Sequence, residues 1–315
     1  MALESVARHT GVAFVAPVPE LTEEEFQLFQ ALILRESGIH LGAKNRAMLI
    51  SRLWKRLSAQ ELHSFSSYYR LVKSDPAELV LMLDCICTNE SHFFREPAAF
   101  ECLRQRIFPE WAANADHHNR TLRVWSAACS TGEEPYSLAM ELLSNFPPAS
   151  GWKIEVLATD LSTKVLAAAK AGVWPVEKIT GVPVEYQRKY LLKGFGPEKG
   201  KIKVGEELRE IVRFQRLNLN EEPYPVVGPF DLIFCRNVII YFQWQTKLQV
   251  VNRLGKYLGP NGYLFLGHAE SLHGVTDKLQ SVVPRVFRAP KSAAHGGGSL
   301  CILQRAGHAT RAKEN

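Results

Sequence analysis

Past Arg120 the sequence changes its period, and that change restricts the fold more than any other feature of the chain. Short apolar runs ending in polar residues (122–128, 154–159) alternate there with amphipathic stretches that reach Leu143 and Ala171. Further apolar runs follow at 211–219, 230–234, 263–266 and 282–288. Strands alternating with helices predict βαβ units and a parallel sheet covered on both faces, an α/β domain. Between 193 and 212 the Gly- and Lys-rich piece GFGPEKGKIKV interrupts the alternation. It reads as a small antiparallel β-subdomain inserted into the scaffold.

The earlier part has a different texture. Thr22 followed by Glu23, Glu24 and Glu25 predicts a helix start, with a hydroxyl cap and first-turn carboxylates set against the helix dipole. Helical spacing continues through Phe26, Phe29 and Ile33, then Leu49, Leu53 and Leu57, then 68–83, with Gly38 and Gly42 as punctuation and Asp75-Pro76 opening the last helix. The expected organisation is a flexible lead at 1–19, a small all-helical domain at 20–87 and a linker at 88–120 that contributes to the site. The α/β domain fills 121–290, and a disordered polar tail occupies 291–315. With 315 residues, 46% of them hydrophobic, two cores can form without cross-links. Six cysteines show neither CxxC pairs nor a disulfide spacing, which points to reduced thiols in a cytoplasmic protein. No apolar run approaches the ~18 residues of a membrane span, and no basic-then-apolar leader is present. A net charge of +6 favours an acidic partner without choosing among nucleic acid, anionic membrane and acidic protein surface.

Ligands of open α/β sheets bind outside the carboxyl ends of the strands. After the first strand comes ACSTGEEPYS at 128–137, whose single glycine, Gly132, leaves the G-x-G-x-x-G fingerprint absent. That counts against a nicotinamide enzyme, whose pyrophosphate needs close backbone approach at a helix N-terminus. It leaves room for a nucleoside without phosphates, such as S-adenosylmethionine. A purely structural alternative is a capping box, from Ser130 with Glu133 or Thr131 with Glu134, with Pro135 in the first turn. Asp160 ends the second strand, where an acid can accept hydrogen bonds from both ribose hydroxyls; the alternative is a cap for the helix beginning near Ser162. Arg236-Asn237 leaves a buried strand, and burying such a pair without partners is costly, so a ligand-facing role is favoured. In the linker, packing between domains explains Phe93 and Phe94 but explains Asn89, Ser91 and Arg95 less well.

Together the strings TNESHFFRE, WSAACSTGEEPYS, ATDLS, FDLIFCRNVIIYF and GHAESL resemble the CheR family of chemoreceptor methyltransferases, in order and in spacing, across 20–290. The resemblance implies a Rossmann-like S-adenosylmethionine-dependent methyltransferase domain behind the small all-helical domain. It implies a cofactor pocket lined by Asn89, Ser91, Arg95, Glu134 (in preference to Glu133), Asp160, Asn218, Leu219, Arg236 and Asn237, with no metal. Ser91 stands where many relatives carry threonine, so the hydroxyl is kept. Arg95 and Tyr241 are implied to face the transferring methyl group, and the acceptors to be glutamate side chains of methyl-accepting chemoreceptors.

The helix at 44–57 holds no acidic residue and sets Lys44, Arg52, Lys55 and Arg56 apart from Leu49, Ile50, Leu53, Trp54 and Leu57, with Arg46 a further candidate for substrate binding on the same helix. Acidic receptor helices would complement that basic face; an ordinary solvated face is the alternative. Some relatives grip a C-terminal receptor peptide on the inserted sheet as an added strand, which here would involve Gly194 and Gly196; an unliganded surface hairpin is the alternative. Two rival functions are weaker. A nucleic-acid methyltransferase usually carries an Asn/Asp-Pro-Pro-aromatic turn where this chain has Arg236-Asn237-Val238-Ile239. A catalytically idle adaptor is disfavoured by the intact set Arg95, Asp160, Arg236, Asn237 and Tyr241. Nothing suggests an obligate assembly, so a monomer is expected.

Overall fold

The structure, a computed structural model, describes residues 18–114, 119–270 and 279–289. Most of the expected lead, the expected tail, Cys301 and the last two residues of GHAESL lie outside the described residues.

Four helices build the first domain: α1 (Glu23–Ser37), α2 (Arg46–Ala59), α3 (Phe65–Ser74) and α4 (Pro76–Ile86). Thr22 and Glu25 form the reciprocal cap of α1, each side chain accepting from the other's backbone N–H. Asp75 accepts from Ala77 N and Pro76 takes the first helical position of α4. Phe29, Leu49, Leu53, Leu57, Phe65 and Tyr68 meet in one fully buried core. The stretch at 88–120 is more than a linker, because α5 (Pro97–Cys102), a π-turn (Leu103–Ile107) and α6 (Phe108–Ala113) fill much of it and bury Phe100, Phe108 and Trp111 against the sheet.

The strands are β1 (Thr121–Ala127), β2 (Lys153–Asp160), β3 (Val173–Pro175), β4 (Leu191–Lys193), β5 (Lys201–Val204), β6 (Val212–Arg216), β7 (Phe230–Cys235), β8 (Leu258–Leu266), β9 (Gln280–Val283) and β10 (Val286–Arg288). The main sheet has the order β6-β2-β1-β7-β8-β10-β9. Pairing is parallel from β6 to β8. The last two strands correct the expectation of a purely parallel sheet, since β10 runs antiparallel to both β8 and β9. Only Pro284 and Arg285 separate β9 from β10, and so short a connection can close a hairpin but cannot make a parallel crossover.

The helices α7 (Glu133–Asn145), α8 (Thr163–Ala171), α9 (Val184–Tyr190), α10 (Glu206–Ile211) and α11 (Trp244–Lys256) complete the domain. Strand alternation sorts β1 onto two cores: Leu122 and Val124 join one cluster, Trp125 and Ala127 the other. The small sheet, ordered β3-β5-β4, extends further back than 193–212, to Val173, and 206–211 is helix rather than strand. Its outer strand β3 escapes a sequence reading because it is three residues long and ends in proline.

The two domains touch through specific polar contacts. Asp84 on α4 accepts from Thr163 N (2.8 Å) and Thr163 Oγ1 (2.5 Å) at the start of α8. Asn218 Nδ2 donates to Glu36 O (2.6 Å), Asn220 Nδ2 to Arg35 O (3.0 Å), and His40 N to Tyr241 O (2.8 Å). Gly38, at φ 75°, ends α1 against the second domain; a Cβ there would meet Asn220 Oδ1 and the Thr246 methyl at 3.1 Å.

Candidate functional site

The order of the main sheet reverses about β1, and the carboxyl ends of β1, β2, β6 and β7 open there into one cavity of about 910 Å³ including its mouth. The segment 87–91 with Arg95, and Ser37 and Ile39 of the first domain, supply the remaining wall. Backbone conformations are unusual around it. Phe94, Glu96, Ala128, Ser130 and Asn237 all have positive φ, a costly conformation that persists where surrounding contacts enforce it.

The turn after β1 leads into α7 through Gly132 at φ 98°, where a Cβ would come within 3.0 Å of the Ala169 methyl. No side chain caps α7, so neither proposed capping box forms; Thr131 Oγ1 donates instead to Glu133 Oε2 at 2.6 Å. Glu133 turns away from the cavity, whereas Glu134 lines it. Glu134 Oε1 accepts from Ser126 Oγ (2.7 Å) and Oε2 from Arg236 Nη1 (3.1 Å). Burial raises the pKa of Glu134, against the opposing pull of Arg236 and Ser126.

Asp160 closes β2 and joins two loops, with Oδ2 accepting from Ser130 N (2.8 Å) and Oδ1 from Ser162 N (2.9 Å). Ser162, not Asp160, is the cap of α8. Burial raises the Asp160 pKa, with the backbone donors of Ser162, Ser130 and Leu161 acting in the other direction.

Arg236 is 4% exposed and lines the cavity, but its guanidinium is engaged by protein partners. It pairs with Glu134 and Glu96 at 3.1 Å each and donates to Arg95 O. Two carboxylates pair with the guanidinium inside the wall, supplying the partners that a buried arginine needs, while the side chain still borders the cavity. Asn237 Nδ2 donates to Glu96 Oε1 (3.0 Å) and Asn237 N to Glu270 Oε2 (3.0 Å). Glu270 also accepts from Gly267 N and Val238 N, pinning the turn after β7. Burial raises the Glu270 pKa despite those donors. Glu96 is held low in spite of its burial by Asn237, His268 N and Arg236. Both glutamates stand inside the quoted strings, but nothing in a string identifies the distant atoms they hold.

Asn218 and Leu219 line the cavity behind β6, where the Asn218 amide is occupied by Glu36 O, Glu221 and Asn220 N. Asn89 and Ser91 line it from the segment before α5. Arg95 is half-buried at the wall, with Nη1 donating to Glu90 O (2.8 Å). Tyr241 lines it from a 3₁₀ turn (Ile239–Tyr241). The residues expected to bind cofactor or to face the methyl group thus share one cavity. Ser37, Ile39, Cys87 and Ser130 line it too, and nothing in their local sequence sets them apart.

The basic face of α2 is smaller than expected. Arg56 forms a two-point ion pair with the buried Glu78 (2.9 and 2.6 Å), which also accepts from Tyr68 Oη and Gln60. Arg46 is tied to Glu23 and Leu21 O, and Arg52 to Ile86 O, Cys87 O and Thr88 Oγ1. Each guanidinium fork reaches an acceptor on a neighbouring element. Lys44 and Lys55 stay exposed. Gly194 and Gly196 sit in the turn after β4, an edge strand, beside Leu192 and the 85% exposed Phe195. A Cβ on Gly194 would lie 2.1 Å from Glu198 O, so the turn itself requires glycine there.

The cavity fits S-adenosylmethionine. Asp160, held by backbone N–H groups and, among the described residues, by no cation, lines it where a nucleoside's hydroxyls can donate to it. Ser130 Oγ is buried there without a hydrogen-bond partner. Among the described residues no group of His, Cys, Asp or Glu could hold a metal ion, and no helix is long and apolar enough to cross a membrane.

Comparison with known proteins agrees with this geometry. The family model for the CheR methyltransferase SAM binding domain matches residues 89–287, and that for the CheR methyltransferase all-alpha domain matches 24–87. Chemotaxis protein methyltransferase 2 of Pseudomonas aeruginosa is 37% identical over 84% of this chain and 93% of its own length. The chemotaxis protein methyltransferase of Escherichia coli K12 is 38% identical over 80% of this chain and 85% of its own, and that of Borreliella burgdorferi 34% over 85% and 95%.

Proposed function

Since this chain belongs to the CheR family of S-adenosylmethionine-dependent methyltransferases, we propose that it esterifies glutamate side chains of chemoreceptors in the cytoplasm. The observation that carries the reading is a single cavity in which Asp160, anchored by two backbone amides, shares the wall with Arg95 and Tyr241. Bound there, S-adenosylmethionine supplies a methyl group on a sulfonium centre, an electrophile that needs no further activation. Asp160 would accept hydrogen bonds from the ribose hydroxyls, and Asn89, Ser91 and Ser130 bring further polar atoms to the same wall. Glu134 and Arg236 keep that wall in place by satisfying each other.

An acceptor glutamate, with an ordinary pKa of about 4.3, is ionised at neutral pH, so no general base is required. The protein's task is alignment and exclusion of water, which can lower a barrier by roughly 7–11 kcal/mol in favourable systems. Arg95 orients the acceptor carboxylate; a guanidinium carries five donors and its bond to Glu90 O uses one. Tyr241 fixes the second carboxylate oxygen or the methyl group. Lys44 and Lys55 offer the exposed charge that an acidic receptor helix would meet. The edge strand β4, with Gly194 and Gly196 in its turn, offers backbone groups to a receptor C-terminal peptide.

Methyl transfer from labelled S-adenosylmethionine to purified receptor, released as methanol by base, tests the activity directly. Arg95→Ala is expected to lower kcat by about 100-fold, the scale of a lost positioning contact, and to weaken cofactor binding as well, since Arg95 lines the cavity and holds Glu90 O. Normal turnover by that variant would remove Arg95 from the mechanism.

A further inference from the structure

The segment from Thr88 to Arg95 carries four cavity-lining side chains beyond Thr88 itself, yet it belongs to neither helix nor strand. Its position depends on a few anchors. Phe94 N donates to Ser137 Oγ of α7 at 3.0 Å, and Arg95 folds back onto Glu90 O. Arg52 Nη2 donates to Thr88 Oγ1 and Arg236 Nη2 to Arg95 O at the two ends of the segment, and a further anchor, at its middle, comes from the small subdomain. Lys178, in the 3₁₀ turn Val176–Gly181 between β3 and β4, donates from Nζ to Ser91 O at 2.9 Å. The same Nζ lies 3.6 Å from Glu133 Oε1, on a side chain with no exposed surface. That oxygen is buried and has no hydrogen-bond partner, so the ammonium is the charge that balances it. Around this contact the two segments fit tightly. Trp174 packs edge-on against Phe93 at 5.1 Å, and a Cβ on Gly181 would lie 2.8 Å from Phe93 O.

We propose that Lys178 is a positioning residue for cofactor binding, holding the 88–95 segment onto the cavity through the Ser91 carbonyl with buried Glu133 as its counter-charge. The inference rests on the cavity being the S-adenosylmethionine site. Lys178 does not line that cavity and acts through the segment that does. The small subdomain thereby becomes part of the cofactor site as well as a surface feature. Lys178 is 43% exposed, so its replacement leaves the hydrophobic cores untouched; the loss of the counter-charge to buried Glu133 lowers stability, which urea unfolding of the variant reads separately from affinity.

The test is calorimetry of the full chain with S-adenosylhomocysteine, paired with steady-state kinetics. Lys178→Met is expected to raise the Kd, and the KM for S-adenosylmethionine, about ten-fold, the effect of losing one charge-assisted hydrogen bond. Lys178→Arg, which keeps charge and donors, restores most of the affinity. Unchanged affinity in Lys178→Met would overturn the proposal, as would a Lys178→Arg variant as weak as the methionine one. Wild-type protein that binds no S-adenosylhomocysteine overturns the underlying cofactor reading instead, and this inference with it.

Discussion

Two carboxylates in the cavity wall, Asp160 and Glu134, are both raised in pKa by burial, yet they have different partners. Glu134 faces the Arg236 guanidinium, whereas Asp160 is held by backbone N–H groups and is left to serve hydroxyl donors. On the proposed ribose contact, hydroxyl donors would favour the ionised form of Asp160, so binding would lower its pKa from the raised value of the free protein. Affinity is then constant above the free-protein pKa and falls as pH drops through it, because binding must expel a proton. For S-adenosylhomocysteine the bend is expected above 3.8, the ordinary aspartate value. Calorimetry from neutral to mildly acidic pH checks this. Asp160→Asn is expected to bind weakly and without that bend; an unchanged profile would move the titration to another group. Arg236 predicts something different, a loss of stability. Arg236→Met leaves Glu134 and Glu96 without their shared cation, at a cost of about 3–5 kcal/mol, read by urea unfolding. The strings named both Arg236 and Asn237, but their partners Glu96 and Glu270 could be recognised only once the chain was folded.

Among the elements, α2 shows how far a face read from spacing survives packing. The acid-free run and the buried Leu49, Leu53 and Leu57 follow directly from helical periodicity. What periodicity does not contain is the location of Glu78 and of the carbonyls ending α4, which take up Arg56 and Arg52. The exposed charge left for the proposed receptor contact is that of Lys55 on α2 and Lys44 in the 3₁₀ turn before it. Reversing both to Glu is expected to raise the acceptor KM several-fold, with unchanged affinity for S-adenosylhomocysteine; an unchanged KM would leave them as solvated lysines. Arg52→Glu is expected to weaken cofactor binding, because Arg52 braces the chain at Ile86, Cys87 and Thr88, where the cavity wall begins.

At the scale of the whole molecule the cavity belongs to both domains, since Ser37 and Ile39 of the first wall it together with the strand ends of the second. Asp84 is the clearest joint, a carboxylate from α4 seated at the N-terminus of α8, where it also meets the favourable end of the helix dipole. Asp84→Ala is expected to cost about 1–3 kcal/mol. In a chain of this size that lowers Tm by about 2–4 °C per kcal/mol, and calorimetric scanning would show it. The sequence by itself determined the change from helical domain to βαβ scaffold, the caps at Thr22 and Asp75, and the strings whose residues gather at the strand ends. Those features are local, written in period and in side chains that bond within a few positions. Only the tertiary structure decided that β9 and β10 close the sheet as a hairpin, that the small sheet reaches back to Val173, and that Arg236 pairs with Glu134 and Glu96. It also decided that Lys178 reaches Ser91 and Glu133, because the partner of a charged side chain is set by packing between segments far apart in the chain.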